Sequence, residues 1–385
     1  MFDKSPSLFP IKERYAFLSH CGVAAMYGPA QRREHEIAEL HCRTGTLILR
    51  QYQPIMAGLH SATAELLKTS PDNVAFIRNT SEGIGLIAAG YPFKRGDQVI
   101  SYVHEYPANY YPWKLQERRG VELVLLPDRD TVGIGRADLP VAFTMRDLEE
   151  RVTPRTRVVA LSHVQFASGH IADVAALSEF CEARGIDLVL DVAQSLGALP
   201  FYPEELNVAA AVSSGWKWLM GPIGTGLLYT SPAFRSKLDL VMVGADTMTQ
   251  GDDYLDHDWA PHASAKIFEY STVPIALAAA LECCIREMPL RYGLEAIWAE
   301  VTRLQDVFLA RLDSSRFRLV FDYSTPVRSP IISLVVPGNA EAVAKALVKQ
   351  NVICTARGGY LRVAPHFHNT EAEVERAADA LNAIA

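Results

Sequence analysis

The sequence predicts an α/β protein that combines a mostly parallel sheet with a smaller α+β domain at the C-terminal end. Through the middle of the chain, short apolar segments rich in β-branched residues alternate with amphipathic segments, and this alternation is typical of βαβ units. From about residue 275 the pattern changes to two long helical segments, short strand-like segments and a last helix. Because the chain has 385 residues, more than one compact core usually contains, we expect two domains.

The predicted strands of the larger domain are five apolar segments, "NVAFIR", "DQVISYV", "VELVLLP", "TRVVALSHV" and "IDLVLDV". The segments between them, such as "SEGIGLIAAGYPF" and "ADVAALSEFCEARG", have helical patterns. Ligands of parallel sheets bind outside the carboxyl ends of the strands. Polar residues that directly follow the five segments are therefore the candidates for a site.

The smaller domain is predicted from the helical segments "PIALAAALECCIREM" and "LEAIWAEVTRLQDVFLARLDSS" and from strands around "RLVF", "SPIISLVV" and "YLRVAP". Its last helix opens on Thr370, with acidic residues in the first turn, which is an N-cap pattern. We expect the large domain to span residues 16–274, and the small domain to combine residues 1–15 and 275–385. The substrate would lie in the cleft between them.

Composition and charge exclude several classes of partner. The net charge of −7 provides no basic field for nucleic acid. The longest apolar segment, "VPIALAAALECC", is too short to span a bilayer, and the charged start of the chain does not resemble a secretory signal. The six cysteines have no paired spacing, so we expect neither disulfides nor a metal site. These observations predict a cytoplasmic protein without a membrane or nucleic-acid partner.

Lys217 stands between two tryptophans in "SSGWKWLMGPIGTG". Apolar surroundings disfavour the ammonium form and lower the pKa of a lysine. A neutral amine is the nucleophile that a Schiff base needs. The alternative is a structural lysine whose stem covers apolar surface.

Two further strand ends carry polar groups. "FIRNTSEGIG" leads from a strand into a helix through Thr80 and Ser81, which are suited to a phosphate at a helix N-terminus or to a plain N-cap. Asp191 ends an almost wholly apolar strand, where a carboxylate needs a partner: it is a structural cap or the partner of a protonated ring nitrogen. Together with Lys217, these features match the needs of pyridoxal 5′-phosphate (PLP).

In this order, the motifs resemble those of the class V aminotransferases of PLP fold type I, a group that includes cysteine desulfurases, selenocysteine lyase, kynureninase and isopenicillin N epimerase. "RNTSEGI" resembles the family's "R-x-T-T-E-G-I", and "SSGWKWLMGPIGTGLLY" is similar to "x-S-G-H-K-W-L-x-G-P-x-G-x-G". The resemblance covers nearly the whole chain. It implies the fold, a PLP cofactor, an amino acid substrate and a homodimer with shared active sites.

The resemblance also implies roles for individual residues. Lys217 would form the Schiff base, and Arg362 would bind the substrate carboxylate. Gln165 and His20 would lie on the substrate side. The remaining cofactor contacts would be Thr80, Ser81, Ser214 and Trp216 at the phosphate, Tyr106 stacked on the ring, Asp191 at the ring nitrogen, Gln194 at the phenolic oxygen, and Thr272 at the phosphate of the neighbouring subunit.

Departures from the family pattern bear on the reaction. Tyr106 and Trp216 replace histidines, and Phe166 replaces an asparagine. Cysteine desulfurases carry a nucleophilic cysteine on a loop before the arginine, whereas "NVICTARGGYLR" is short, and we expect Cys354 to be buried. The sequence therefore favours transamination first. The alternatives are a cysteine- or selenocysteine-directed C–S lyase, kynureninase-like C–C cleavage, epimerisation and, in a different class, a non-catalytic binding protein of the same fold.

Overall fold

A computed structural model describes residues 1–325 and 327–384; Pro326 and Ala385, which fall in the predicted small domain, lie outside the described residues. The strands are β1 (Ala16–Phe17), β2 (Val74–Ile77), β3 (Gln98–Tyr102), β4 (Glu122–Leu126), β5 (Thr156–Ser162), β6 (Asp187–Asp191), β7 (Ala210–Ser214), β8 (Gly226–Thr230), β9 (Arg318–Leu319), β10 (Ile332–Val335), β11 (Val352–Ile353), β12 (Thr355–Arg357) and β13 (Tyr360–Val363). The α-helices are α1 (Gly28–Thr44), α2 (Tyr52–Leu67), α3 (Thr80–Gly90), α4 (Tyr111–Lys114), α5 (Met145–Glu149), α6 (Val174–Glu182), α7 (Pro232–Arg235), α8 (Ile275–Ile285), α9 (Leu294–Arg311), α10 (Ala340–Lys349) and α11 (Glu371–Ala383).

A seven-stranded sheet forms the centre of the molecule, in the strand order β2-β8-β7-β6-β5-β3-β4. β8 runs antiparallel to both of its neighbours, and the other adjacent strands are parallel. Hence β2 points the same way as β7, and the carboxyl ends of β2, β3, β5, β6 and β7 meet at one edge. The predicted α/β class with a mostly parallel sheet is confirmed.

The central strands are apolar along their length because both faces of the sheet are covered. Leu161 and Leu190 belong to a hydrophobic cluster on one face, and their chain neighbours Ala160 and Val189 belong to a cluster on the other. Side chains of a strand alternate between the two faces, so continuous apolar segments fill both layers. This arrangement leaves polar side chains only at the strand ends.

A second, antiparallel sheet has the strand order β12-β13-β10-β9 and packs against α9, α10 and α11. β12 and β13 form a hairpin whose turn consists of Gly358 and Gly359, with φ of 57° and 83°. Two consecutive left-handed residues are what a tight two-residue hairpin turn requires, and glycine adopts them without strain. This hairpin reaches back toward the carboxyl edge of the central sheet.

The N-terminal segment lies against the C-terminal region. Lys4 and Lys12 each donate a hydrogen bond of 2.6 Å from Nζ, to the carbonyls of Asn369 and His368 respectively. β1 pairs with β11, and Leu18 packs in the hydrophobic cluster of the second sheet, so this contact extends beyond residue 15. The predicted domain boundaries at residues 16 and 275 stay a prediction.

The five predicted strands correspond to β2 through β6, and α11 begins with the predicted Thr370 cap, completed by Glu373 as a capping box. The sequence did not indicate β7, because its residues, "AAVSS", are small and show no strand-like pattern. β1, β11 and β12 are two or three residues long, too short for any periodicity. Over the described residues, no helix is both long and apolar enough to cross a membrane.

Candidate active site

Two neighbouring strands of the central sheet bring the predicted lysine and aspartate together. Asp191 is the last residue of β6, which pairs in parallel with β7. β7 ends at Ser214, and the chain then turns at Gly215 to reach Lys217. A Cβ atom at Gly215 would collide with the side chain of Thr225, so only glycine allows this turn directly after the strand.

Lys217 lines a cavity of about 330 Å³ between the edge of the central sheet, the N-terminal segment and the β12–β13 hairpin. Among the described residues, the lining contains three cationic side chains and no carboxylate. It therefore favours an anionic ligand. The lining residues are Phe17, Ser19, Cys21, Gly22, Val23, Tyr106, Phe166, Gln194, Trp216, Lys217, Ile353, Thr355, Arg357 and Arg362.

Burial shifts the pKa of Lys217 and that of Asp191 in opposite directions. Burial lowers the pKa of Lys217, an effect that Asp191 opposes and Arg362 reinforces. Burial raises the pKa of Asp191, which Lys217 and a 2.9 Å hydrogen bond from the Ala193 amide oppose. The lysine is thereby moved toward its neutral, nucleophilic form, as the sequence predicted.

Tyr106 covers the lysine from the cavity side. The centroid of its ring lies 5.5 Å from Lys217 Nζ, and the ring of Phe166 meets it edge to face at 5.2 Å between centroids. Tyr106 follows β3 and is partly exposed, so its ring is available to a ligand. This position is compatible with the predicted stacking role, which stays a prediction.

The start of α3 supplies polar groups for an anion. Asn79, not Thr80 or Ser81, is the N-cap, and its side chain accepts a 2.9 Å hydrogen bond from the Glu82 amide. The hydroxyls of Thr80 and Ser81 are therefore not used for capping. A free helix N-terminus with two hydroxyls is a typical phosphate site.

Ser214 supports the same interpretation from the neighbouring strand. Its Oγ is buried and has no hydrogen-bond partner among residues 1–325 and 327–384. A buried hydroxyl without a partner is unfavourable unless a ligand satisfies it. Ser214 is thus suited to the phosphate contact predicted for it.

Gln194 and Trp216 both line the cavity. The side-chain amide of Gln194 donates to the carbonyl of Cys21 at 2.9 Å, and its oxygen accepts from Trp218 Nε1 at 3.4 Å. Gln194 therefore ties the N-terminal segment to the loop after β6. Its predicted contact with a phenolic oxygen stays a prediction.

Gln165 is held by a buried carboxylate that sequence reasoning missed, Glu105. Gln165 Nε2 donates to Glu105 at 2.7 Å, and the Ser162 amide donates to the same oxygen at 2.8 Å. The other Glu105 oxygen accepts from Ser162 Oγ at 2.5 Å and from Asn109 Nδ2 at 3.2 Å. Burial raises the pKa of Glu105 to about 7. Glu105 lies four residues before Asn109, just after β3, but only the order of the strands in the sheet brings it beside Ser162 and Gln165.

Arg362 enters the cavity from the middle of β13. Its side chain is almost fully buried, donates to the Phe166 carbonyl, and leaves Nε without a partner in the described part of the chain. Burial lowers the pKa of Arg362, and repulsion from the positive charge of Arg357 lowers it further. A buried guanidinium with unused donors is suited to a carboxylate, the ligand predicted for Arg362.

Two predicted residues do not meet Lys217. His20 is buried, with one ring nitrogen 2.9 Å from the Ala364 carbonyl and the other 2.9 Å from His368 Nε2, so the structure gives no support to a substrate contact. Thr272 is exposed and lines a separate cavity with Arg78. Over the described residues, no group of three metal-ligating side chains lies close enough to hold an ion.

The two cysteines nearest the site differ in orientation. Cys354 is buried among Leu361 and Val363 in the core of the second sheet, as expected from the sequence. Cys21 lines the cavity, which the sequence did not indicate, although the thiol is almost inaccessible and burial raises its pKa. A protonated, packed thiol is a poor nucleophile.

These residues fit PLP. Lys217 provides a half-buried amine of lowered pKa, Asp191 provides a buried acid, and Ser214 provides a hydroxyl that has no partner in the described part of the chain. The N-terminus of α3, at the same edge of the sheet, adds the hydroxyls of Thr80 and Ser81. This donor set matches an aldehyde, a protonated pyridine nitrogen and a phosphate.

Known proteins with similar sequences and structures support this interpretation. A probable cysteine desulfurase of Methanothermobacter thermautotrophicus is 27% identical, over 98% of this chain and 96% of its own length. A structure of a C-DES mutant with glycine covalently linked to the PLP cofactor superimposes with a TM-score of 0.88 at 20% identity, covering 99% of this chain and 100% of that one. The complex of the cystine C–S lyase C-DES with its product cysteine persulfide gives 0.87 at 20% identity, over 97% and 99%. At this identity the structures establish the fold alone, and the predicted fold type I is confirmed.

The family profile described as aminotransferase class-V matches residues 34–376. This range includes each of the predicted cofactor residues and Arg362. The chain belongs to the class V aminotransferase family.

Proposed function

We propose that the protein is a PLP-dependent C–S lyase that removes sulfur from a cysteine-type amino acid by β-elimination. The cofactor prediction is confirmed by the family match, and the similar C-DES structure holds glycine covalently linked to PLP. The curated relative named a cysteine desulfurase and the cystine C–S lyase complex favour sulfur chemistry over the transamination that the sequence placed first. When bound, PLP supplies an electron sink that weakens the bonds at Cα and lets a leaving group depart from Cβ.

Lys217 would hold the cofactor and handle the proton. Lys217 lines the cavity, and burial lowers its pKa, which favours the neutral amine. Such an amine is a base that can hold the proton removed from Cα and return it later. Asp191 would accept a hydrogen bond from the pyridine N–H and keep that nitrogen protonated.

Arg362 would orient the substrate. A bidentate contact between its guanidinium and the α-carboxylate fixes two points of the amino acid relative to Lys217. The aromatic rings of Tyr106, Phe166 and Trp216 line the space around these groups and limit the entry of water. Limited water strengthens the charge-assisted contacts inside the cavity.

The observation that carries the choice of reaction is the orientation of the hairpin. Thr355 pairs directly with Arg362, and both line the cavity. Cys354, one position earlier, therefore points to the opposite face and packs in the core. Because the thiols of Cys354 and Cys21, the two cysteines nearest the site, are both buried, elimination of the sulfur group from Cβ is favoured over transfer of sulfur to the enzyme.

The products of cysteine and cystine test this proposal. We expect the PLP-loaded protein to form pyruvate and ammonia, together with sulfide from L-cysteine or cysteine persulfide from L-cystine. Formation of alanine with protein-bound persulfide would instead establish a desulfurase. Amino acid formation that requires an added keto acid, without release of sulfur, would establish a transaminase.

We also propose the homodimer implied by the resemblance. Thr272 is exposed and lies in a cavity apart from Lys217, which supports a role toward a second copy. Light scattering of the purified protein should give twice the mass of the chain, and Thr272→Ala should weaken PLP binding without changing that mass. A monomeric, fully active protein would exclude shared sites.

A further inference from the structure

The cavity contains a cation that the proposed reaction does not use, Arg357. It lines the cavity together with Lys217 and Arg362. Its side chain is exposed and forms no hydrogen bond or ion pair with any other residue of 1–325 and 327–384. An unpaired guanidinium inside a ligand cavity points to an anion on the ligand.

Arg357 and Arg362 lie on the same face of the hairpin, but they are not directly opposite each other. Thr355 is directly opposite Arg362, and Arg357 lies two residues further along the same strand. Residues two apart on a strand share a face, so Arg357 is the diagonal neighbour of Arg362. Diagonal neighbours are separated by roughly 7–8 Å at the backbone. At this separation, Arg362 can bind a small carboxylate without the guanidinium group of Arg357.

The position of Arg357 is restrained by the turn that follows it. A Cβ atom at Gly359 would collide with Leu139, and one at Gly358 would come within 2.9 Å of Ala167 Cβ. The backbone of the turn is thus packed tightly against the loops next to the central sheet. Tyr360, which pairs with Arg357, is buried and donates to the Pro140 carbonyl at 2.8 Å. The hairpin end is a fixed support and not a free loop.

We propose that Arg357 binds a second anionic group of the substrate, distant from the α-carboxylate that Arg362 holds. The cavity then selects an amino acid with two carboxylates joined through sulfur, of the cystine type, over cysteine itself. This inference rests on the proposed C–S lyase function.

The reaction of such a substrate is balanced. The Cα–H and Cβ–S bonds break, the proton goes to Lys217, and the electron pair of the Cβ–S bond leaves with the sulfur. The leaving group is cysteine persulfide, which retains the second carboxylate beside Arg357. The three-carbon fragment takes up one water and gives pyruvate and ammonia, so no external oxidant or reductant is needed.

A matched pair of disulfides tests the proposal with the PLP-loaded enzyme. L-Cystine carries the second carboxylate, whereas S-(methylthio)-L-cysteine has the same disulfide without it. Arg357→Gln should raise KM for L-cystine about tenfold, the effect of one lost charge-assisted contact at a partly exposed site, and leave kcat close to wild type. KM for S-(methylthio)-L-cysteine should change less than twofold, and Arg357→Lys should restore part of the discrimination.

Arg118→Gln is the control for the loss of one positive charge, since Arg118 is exposed and outside the cavity. In a Lys217→Ala background, calorimetry should show the same weakening of L-cystine binding on Arg357→Gln, without turnover. Equal changes for both disulfides, or none, would overturn the proposal. So would a loss of PLP affinity in Arg357→Gln, which would assign the residue to the cofactor phosphate. A wild type that releases pyruvate from neither disulfide would instead refute the C–S lyase function itself.

Discussion

The two walls of the cavity place their functional groups in different ways. In the sheet wall, Lys217 lines the cavity, and Asp191 and Ser214 are the last residues of the neighbouring parallel strands β6 and β7. The hairpin wall, with Arg357 and Arg362, consists of alternate residues along an antiparallel pair. In the sheet wall, position along the chain decides which residues meet, because the parallel strands all end at the same edge. In the hairpin wall, the face decides, since a shift of one residue exchanges cavity and core.

The comparison also separates two kinds of chemistry. The sheet wall combines a base with a buried acid and unpartnered donors, which fits a cofactor. The charged groups of the hairpin wall are two arginines, Arg357 and Arg362, which fit the carboxylates of a substrate. Substitutions in the two walls should therefore have distinguishable effects on proton transfer and on substrate binding.

The largest effect is expected in the sheet wall. Lys217→Ala should reduce kcat by on the order of 10³-fold or more, because the base is lost, and should keep the fold. Stopped-flow measurement of product release and circular dichroism would establish both results. Lys345→Ala, which removes an exposed lysine of α10, should behave as wild type. Turnover by Lys217→Ala near the wild-type rate would contradict the assigned base.

The next effect is expected in the hairpin wall. Arg362→Lys keeps the charge but loses the bidentate geometry, so kcat/KM should fall roughly 100-fold. Most of the loss should be in KM if binding of the α-carboxylate is the main role. Steady-state kinetics with Arg118→Lys as the control would measure it. A change confined to kcat would place Arg362 in proton transfer and would contradict the assignment of the hairpin wall to substrate binding.

Glu105 allows the sheet side of the site to be tested by a change of pH, because its buried carboxyl accepts hydrogen bonds from Ser162 and Gln165. Burial raises its folded-state pKa from 4.5 to about 7, so the folded state prefers the protonated carboxyl. Its contribution to stability is present at low pH and is lost as the pH rises from about 4.5 to about 7. Relative to Glu105→Gln, the free energy of unfolding of the wild type should fall by about 2–3 kcal/mol between pH 5 and pH 8.

Urea unfolding at both pH values measures this difference. Glu117→Gln, a substitution of an exposed glutamate, should follow the wild-type pH profile. Parallel profiles for wild type and Glu105→Gln would mean that Glu105 ionises normally within its hydrogen bonds.

The smallest effect on activity is expected on the reverse face of the hairpin. Cys354→Ser should leave turnover within about twofold of wild type, and it should lower the free energy of unfolding by about 1–2 kcal/mol, because a hydroxyl replaces a thiol in an apolar core. Cys42→Ser, at an exposed cysteine, should change neither quantity. A large loss of activity in Cys354→Ser would revive the sulfur-acceptor role and remove the contrast between the two faces.

The sequence by itself indicated the two main residues of the sheet wall. Asp191 follows an apolar segment of strand length, and the tryptophans beside Lys217 predict an amine in apolar surroundings, because both signals are local. The strand that leads to Lys217, β7, showed no pattern. The ordered motifs further indicated the family, which the match over residues 34–376 establishes.

Only the tertiary structure decided the rest. The pairing of Thr355 with Arg362, which turns Arg357 toward the cavity and Cys354 into the core, depends on the register of a hairpin whose first strand is too short to show a pattern. The positions of Cys21 and Glu105 depend on contacts with segments far away in the chain. Register and distant contacts are set by packing and by the partners of buried polar groups, which neighbouring residues in the sequence do not specify.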